Sequence, residues 1–578
     1  MARFTNRQVA DIFYAIADLV AIKGEVIYRV LAYRKAADNI AILDRPIAEL
    51  WETGKLKEIP GVGPAIADKI DELFETGRMT FYDKLAAQVP PSLVEVLHIP
   101  DVGPKKTQMM WQKLGLTTVA EVKAAAEAGR LRSLPGFGAK SEAKILAGIE
   151  TLARRVTDRV HMGIAYPAAR DLVAALEKLP QVQRVTFAGS LRRFRATIGD
   201  LDILAVTDDC SGVMAAFGKL PQVEAVLSGG GTKMRVRLLN GLEADLRCLE
   251  RARWGTALQY FTGSQAHSVK LRDLALKRGF SLSEYSLKRE DGSEVLCAEE
   301  EEVYRTLGLP FVEPELREDW GEIEAALAGR LPKLVALDDI RGELHCHSTW
   351  SDGQFSIEEM AKAAEARGYS YLAISDHSQG LGMVGGLTPE RLRQQRTEIR
   401  AVQAKLKRLQ LLQGAEVEIK ADGTLDFPDE VLAELDFVVA SVHSGLRQDR
   451  DTITGRVVRA MRNPHVDAIG HPSGRILLQR EESALDLDEA LRVAAETGTI
   501  MEINADPARL DLDDVHVRRA VELGVKLVVN SDAHHPDHFE NLRFGVATAR
   551  RGWAGPEAVV NTLPLEALKA HVKNKGGA

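Results

Sequence analysis

The sequence predicts a multidomain chain with an all-α front end, an α+β middle and a seven-stranded parallel β/α barrel at the back. Three observations predict it. A short glycine loop recurs three times among helix-like segments before residue 158, a strand near residue 200 carries two carboxylates on one face, and seven apolar runs alternate with amphipathic stretches after residue 340. At 578 residues the chain is too long for one core.

The front end is read from its loops. IPGVGP (Ile59 to Pro64), IPDVGP (Ile99 to Pro104) and LPGFGA (Leu134 to Ala139) are each followed by a helix-like stretch, namely Ala65 to Leu73, Lys105 to Leu114 and Lys140 to Ile149. Glycine lets the backbone turn tightly and aim N–H groups at a phosphate beside the next helix, without reading bases. Gly61, Gly63, Gly103, Gly136 and Gly138 are therefore candidate DNA-backbone contacts. The middle copy departs from the pattern at Asp101, where the other two have glycine. Lys69, Lys105, Lys106, Lys140 and Lys144 follow the loops; each is either a DNA contact or a solvated helix face.

In the middle, the stretch from Phe187 to Leu204 holds Gly189-Ser190, Arg193, Asp200 and Asp202. On a strand Asp200 and Asp202 share one face while Leu201 and Ile203 enter the core. Such a pair is a platform for divalent metal. The Gly189-Ser190 turn offers donors to a triphosphate, and Arg193 offsets its charge. A third carboxylate is expected on a hairpin turning at Asn240-Gly241: Asp245 is the candidate, with Glu243 its rival on the same face. Asp200, Asp202 and Asp245 form a candidate two-metal catalytic set for Mg2+ or Mn2+.

The barrel is read from runs ending at ligand-type residues. Ile340 to Leu344, Tyr371 to Ile374, Leu409 to Leu412, Phe437 to Val442, Val466 to Ile469 and Val525 to Val529 lead into His345 and His347, His377, Glu416, His443, His471, and Asp532 and His534; Asp352 follows the first. A seventh run, Ile500 to Ile503, carries no histidine. Helical stretches such as Ser356 to Arg367 and Leu487 to Glu496 lie between the runs, which gives a parallel barrel with its site at the strands' carboxyl ends. Six imidazoles and three carboxylates are too many for one ion and suit a cluster of two or three Mn, Zn or Fe ions.

Composition adds limits. Cys210, Cys248, Cys297 and Cys346 form no CxxC pair, which favours a reducing cytoplasm. The amino terminus reads as an amphipathic helix, not a signal peptide, and no run is long enough to span a membrane. Net charge is −8, but Lys+Arg against Asp+Glu is 44 to 41 through Arg317 and 31 to 42 beyond it. The acid belongs to the barrel half, so DNA contact in the front half rests on local basic faces and backbone donors.

These motifs carry a resemblance. The loops resemble helix-hairpin-helix motifs, and the GS…DxD…D pattern resembles the nucleotidyltransferase palm of family X DNA polymerases. The region from residue 340 resembles a PHP (polymerase and histidinol phosphatase) domain, a distorted (β/α)7 barrel. The resemblance implies that His345, His347, Glu416 and Asp532 hold one ion, that Glu416 bridges to a second held by His443 and His471, and that Asp352, His377 and His534 hold a third. Some members have His where this chain has Asp352. Asp376 would orient an imidazole from outside the ligand set. Tyr260, Phe261 and Gly263 match the segment beside the incoming nucleotide, Arg272 a residue on the template side, and Ser268 a position that is Asn in many members. Lys69 falls where the family can carry a Schiff-base lysine that removes a 5′-deoxyribose phosphate; Ala65 stands where vertebrate relatives have another lysine.

The implied order is a hairpin domain (1–88), a helical DNA-binding domain with two further hairpins (89–158), a palm (159–259), a nucleotide-selecting subdomain (260–317), a linker (318–339) and the PHP barrel (340–578). It implies a cytoplasmic, monomeric DNA-directed DNA polymerase acting with dNTPs on gapped or primed DNA, with a 3′→5′ exonuclease in the barrel. The alternatives are a barrel that acts as a small-molecule phosphatase, or one that binds metal without catalysis.

Overall fold

Apolar residues three and four positions apart drive the front unit into helices that bury one stripe each. The computed structural model describes residues 4, 6–41, 47–97, 99, 102–154, 159–381, 384–569 and 571–572. It divides into residues 1–158 with the turn 239–241, and the remainder.

Among the described residues the first unit is helical from Asn6–Lys23 to Ala139–Arg154. Phe13, Tyr33 and Phe81 stack in its core, with ring centroids 6.2 and 5.8 Å apart. The three loops share one turn: Val62 donates to Ile59, Val102 to Ile99 and Phe137 to Leu134, at 3.0 to 3.1 Å. The residue before each donor takes positive φ where it is described, +80° at Gly61 and +81° at Gly136. That is the third position of a type II turn, which favours glycine. Asp101 holds the same position in the middle copy and lies outside the described residues.

In the second unit the palm is a five-stranded sheet. Strand Asp200–Thr207 runs antiparallel to the edge strand Val182–Phe187 and parallel to the central strand Glu243–Leu249, and Lys233–Leu238 and Val223–Gly229 complete the sheet. The barrel contains seven parallel strands in sequence order: Gly342–Cys346, Tyr371–Ile374, Gln410–Glu418, Phe437–Ser441, Ala468–Ile469, Ile500–Asn504 and Leu527–Asn530. First and last meet through a Cys346–Ala533 bridge, and His347 donates its backbone N–H to the Ala533 carbonyl at 2.8 Å. The barrel is nearly closed, and its ligands crowd the strands' carboxyl ends. Among the described residues no helix is long and apolar enough to cross a membrane.

The segment read as a linker is built into both neighbours. Ile323, Ala325, Ala326 and Leu334 lie in one core with Leu271, Tyr304 and Trp553, while Val335 belongs to the barrel core. Barrel residues Leu510 and Phe544 likewise enter the palm core.

One buried ion network joins the palm helix Gly189–Arg192 to the segment 300–317. Glu300 accepts from Arg317 Nη1 at 2.5 Å and from Arg192 Nη2 at 2.7 Å, with the Arg317 side chain 0% exposed. Burial alone would push the Glu300 carboxyl up; Arg317 and Arg192 overcome it and hold it down to about 2. A carboxylate depressed by folding stabilises above its ordinary value and loses that contribution as pH falls. About 3 kcal/mol is therefore expected to vanish between roughly pH 5 and pH 2. Glu300→Gln, which leaves Arg317 buried without a counter-charge, is expected to cost about 3 to 5 kcal/mol at neutral pH and to flatten that acid limb. Urea unfolding at stepped pH measures both.

Candidate active sites

The palm site forms where two parallel strands present carboxylates side by side. Asp202 is register partner to Asp245, and Asp200 to Glu243. Asp245 is buried, Asp202 half-buried and Asp200 exposed, so the set grades from core to solvent. Burial, then repulsion from Asp200 and Asp245, pushes the Asp202 carboxyl up to about 6. Crowded acids without a cation behave this way, and a divalent ion would relieve the repulsion. Gly189, at φ +62°, lies so close that an added Cβ would stand 2.3 Å from Asp202 Oδ2. The glycine of the GS turn is thus needed for close approach to the carboxylate. Glu243, the rival, is half-buried and faces Arg235 at 3.4 Å and Arg237 at 3.9 Å.

Sequence reasoning missed the cations bound to Asp245. Arg235 grips both its oxygens, Nε to Oδ1 at 2.6 Å and Nη2 to Oδ2 at 2.9 Å, and Lys233 Nζ lies 3.1 Å from Oδ2. Burial works against the ionised form of Asp245, but Arg235 and Lys233 prevail and hold its pKa below the ordinary value.

Around this platform, Tyr260 and Phe261 meet edge to face at 5.1 Å on the helix Trp254–Thr262, which ends at Gly263 with φ +68°. Arg247 stacks over Phe261 at 4.4 Å. Ser190 sits half-buried in the turn beside Gly189. Arg193 is committed elsewhere than the sequence suggests. It pairs with Glu318 at 3.0 Å and donates to the Thr262 carbonyl, while Arg551 of the barrel donates to both the Arg193 carbonyl and Glu318. Arg193 Nε and Nη1 are thus engaged within the protein. Arg272 is exposed, its Nε 3.3 Å from the Ser268 carbonyl. Ser268 is buried.

In the barrel, all nine ligand-type side chains converge. Four enclose one point: His345 Nε2 and His347 Nε2 lie 3.3 and 3.6 Å from Glu416 Oε2, and 3.6 and 3.1 Å from Asp532 Oδ1. Tetrahedral ligands on ~2.1 Å bonds lie roughly 3.4 Å apart, so this spacing fits one ion. Glu416 turns its other oxygen, Oε1, to His471 Nε2 at 2.8 Å and His443 Nε2 at 3.2 Å. Asp352 faces His534 Nε2 at 3.3 Å and His377 Nε2 at 3.6 Å. His347 Nδ1, 3.7 Å from Asp352, joins this third group, so His347 offers one nitrogen to each of two groups.

The electrostatics of these ligands are those of a cation cradle. Burial alone would lower the imidazole pKa values, but Glu416 and Asp352 raise that of His377 to about 10, and Asp352 and Asp532 raise that of His534 to about 9. At His347, burial together with His534 and His377 pushes it down to about 3. His345 Nε2, His347 Nδ1 and His377 Nδ1 are buried and make no well-aligned hydrogen bond although carboxylate oxygens lie close, as metal-directed nitrogens would. His471 and Asp532 take positive φ, +29° and +53°, a strain tolerated where a site over-determines the backbone.

Supporting groups complete the cradle, and several were not read from sequence. Glu502, on the strand without a histidine, accepts at 2.7 Å from both His345 Nδ1 and the His471 backbone N–H, and Glu418 takes His443 Nδ1 at 2.8 Å. The two imidazole contacts direct the opposite ring nitrogens of His345 and His443 inward, and the backbone contact fixes the turn at His471. A glutamate inside a fully apolar run was the available signal for Glu502. Glu502→Gln is expected to lower barrel metal content and degradation by about 10- to 100-fold, read by metal analysis beside nuclease rate. Asp376 does not orient an imidazole as expected: its oxygens are taken by Ser348, Ser351 and Gln395, which pins the loop after His347 instead.

In the front unit, Gly63 and Gly103 cap the helices Pro64–Thr76 and Pro104–Leu114, and the Gly138 carbonyl accepts from Ser141 and Glu142 at the start of Ala139–Arg154. Lys69 reaches the Ala65 carbonyl at 2.6 Å and lies 4.9 Å over Phe81; burial first, and Arg29 nearby, lower its pKa.

Comparison with known proteins follows this anatomy. Family models match for a helix-hairpin-helix domain (residues 4–79), a SAM-like helix-hairpin-helix tandem (92–151), the DNA polymerase beta thumb (257–318) and the PHP domain (343–506). A "Probable phosphatase" of Thermoanaerobacter pseudethanolicus is 28% identical over 244 residues, 40% of this chain and 94% of its own length. DNA polymerase lambda of Rattus norvegicus is 24% identical over 359 residues, 54% of this chain and 56% of its own. The "DNA polymerase/3'-5' exonuclease PolX" of Bacillus subtilis is 38% identical over 571 residues, 98% of this chain and 99% of its own. Similarity that runs unbroken through hairpins, thumb and barrel shows that the chain belongs to the family X DNA polymerases carrying a C-terminal PHP domain.

Proposed function

We propose that the chain fills short gaps in damaged DNA with its palm and trims 3′ ends with its barrel. The observation that carries this reading is the pairing of Asp202 with Asp245 beside Gly189, on the same chain as a largely buried cluster of nine ligand-type side chains. Divalent ions, Mg2+ or Mn2+ in the palm and two or three Mn2+, Zn2+ or Fe ions in the barrel, supply charge that activates the attacking oxygen and stabilises the leaving one.

The chain's own residues do the rest. Asp200, Asp202 and Asp245 would hold the palm ions, while Gly189 and Ser190 would offer donors to the triphosphate. Arg193 would offset triphosphate charge. Tyr260, Phe261 and Gly263 wall the incoming nucleotide, and Arg272 faces the template. Gly61, Gly63, Gly103, Gly136 and Gly138 carry the DNA backbone on their turns. In the barrel His345, His347, Glu416 and Asp532 would hold a first ion. Glu416, His443 and His471 would hold a second, and Asp352, His377 and His534, with His347, a third. Lys69, its pKa lowered and close to an aromatic face, is the candidate lyase nucleophile. The protein acts as a cytoplasmic monomer; light scattering at the mass of one chain checks the oligomeric state.

Likeness of the barrel to probable phosphatases favours one rival reading, a small-molecule phosphatase. Hydrolysis of 5′-labelled single-stranded DNA compared with phosphate monoesters separates the two. A ladder shortening from the 3′ end at a rate far above monoester turnover is expected; the reverse ranking would favour the rival.

A further inference from the structure

The palm sheet places a column of bases beside its column of acids. Lys233, Arg235 and Arg237 alternate along one strand, and their register partners are Arg247, Asp245 and Glu243 on the next, which in turn pairs with Asp202 and Asp200. Side chains two apart on a strand share a face, so three strands present acid, acid and base to one surface. The basic residues keep 37 to 47% of their side-chain surface exposed, so they can swing away without unpacking the core.

Arg235 and Lys233 take both carboxylate oxygens of Asp245, the atoms that a divalent ion would require. A guanidinium and an ammonium on those oxygens occupy lone pairs and repel an incoming cation, so their contacts oppose its binding. From this geometry we propose that Arg235, assisted by Lys233, is a positioning residue that competes with the catalytic divalent ion for Asp245. It keeps the third carboxylate aligned, and it sets the metal concentration at which the palm site assembles. The exchange is a swap of partners and breaks no covalent bond. The inference rests on the palm reading of Asp200, Asp202 and Asp245, and it concerns the palm ion alone.

The test is Mn2+ binding by the full chain without DNA or nucleotide, with free Mn2+ read by electron paramagnetic resonance. Asp245→Asn identifies the palm class as the sites it removes. Arg235→Gln is expected to tighten that class by about tenfold, and Arg235→Lys to return it towards wild type. Lys233→Gln, at a more exposed side chain, is expected to shift it the same way by a smaller factor, and it serves should Arg235→Gln fail to fold. An unchanged or weakened palm class in Arg235→Gln and Lys233→Gln overturns the inference and leaves the palm site standing. If Asp245→Asn removes no class of sites, the palm reading and the inference fall together.

Discussion

Replacing Asp202 by Asn is expected to slow gap filling by about a thousandfold or more while 3′→5′ degradation stays at its wild-type rate. Asp202 lies between Asp200 on its own strand and Asp245 across the register, so it contributes to any ion held by either neighbour. Asn keeps its shape beside Gly189 but cannot supply the charge. The variant also separates catalysis from folding. Burial and like charges push the Asp202 carboxyl up to about 6, so above that pH its ionised form works against the fold. Removing the charge should leave the melting temperature of metal-free protein unchanged or higher at pH 7.5. Lost extension accompanied by a lower melting temperature would mean that Asp202 acts structurally.

Glu416→Gln is expected to do the converse, cutting 3′→5′ degradation by about a thousandfold or more while leaving extension intact. The two oxygens of Glu416 face different groups: Oε2 lies within 3.6 Å of His345 and His347 and 2.9 Å from His377 Nδ1, while Oε1 meets His443 and His471. An amide replaces one of these acceptors with a donor that points at imidazole nitrogens, and removes the charge that two ions would share. Metal analysis should show the loss of at least one bound ion per chain. Full metal content with lost activity would make Glu416 an acid or base instead of a bridge.

Much of this was legible in the sequence, for identifiable reasons. Parallel strands buried on both faces read as apolar runs, and the ligand-type residues fall at their carboxyl ends. Asp200 and Asp202 were legible because period two puts them on one face. Contacts made across the fold were not legible. Arg235 meets Asp245 only through strand register, and Glu502 reaches His345 from 157 positions away. Asp376 adjoins His377 in sequence, yet its carboxylate serves Ser348, Ser351 and Gln395. The segment 318–339 has few long apolar stretches and so reads as a connector; Ile323 and Leu334 nonetheless anchor it in the thumb core. Arg193 follows the GS turn as a phosphate-binding arginine would, but sequence does not reveal that Glu318 and Arg551 hold it.

Two independent metal centres on one chain, one that polymerises and one that degrades, are the central claim. The most direct test follows a 5′-labelled gapped duplex with and without dNTPs, using Asp200→Ala and His345→Ala in parallel with wild type. Asp200→Ala should abolish extension and keep degradation, and His345→Ala should do the reverse. Extension surviving Asp200→Ala, or degradation surviving His345→Ala, would contradict the account.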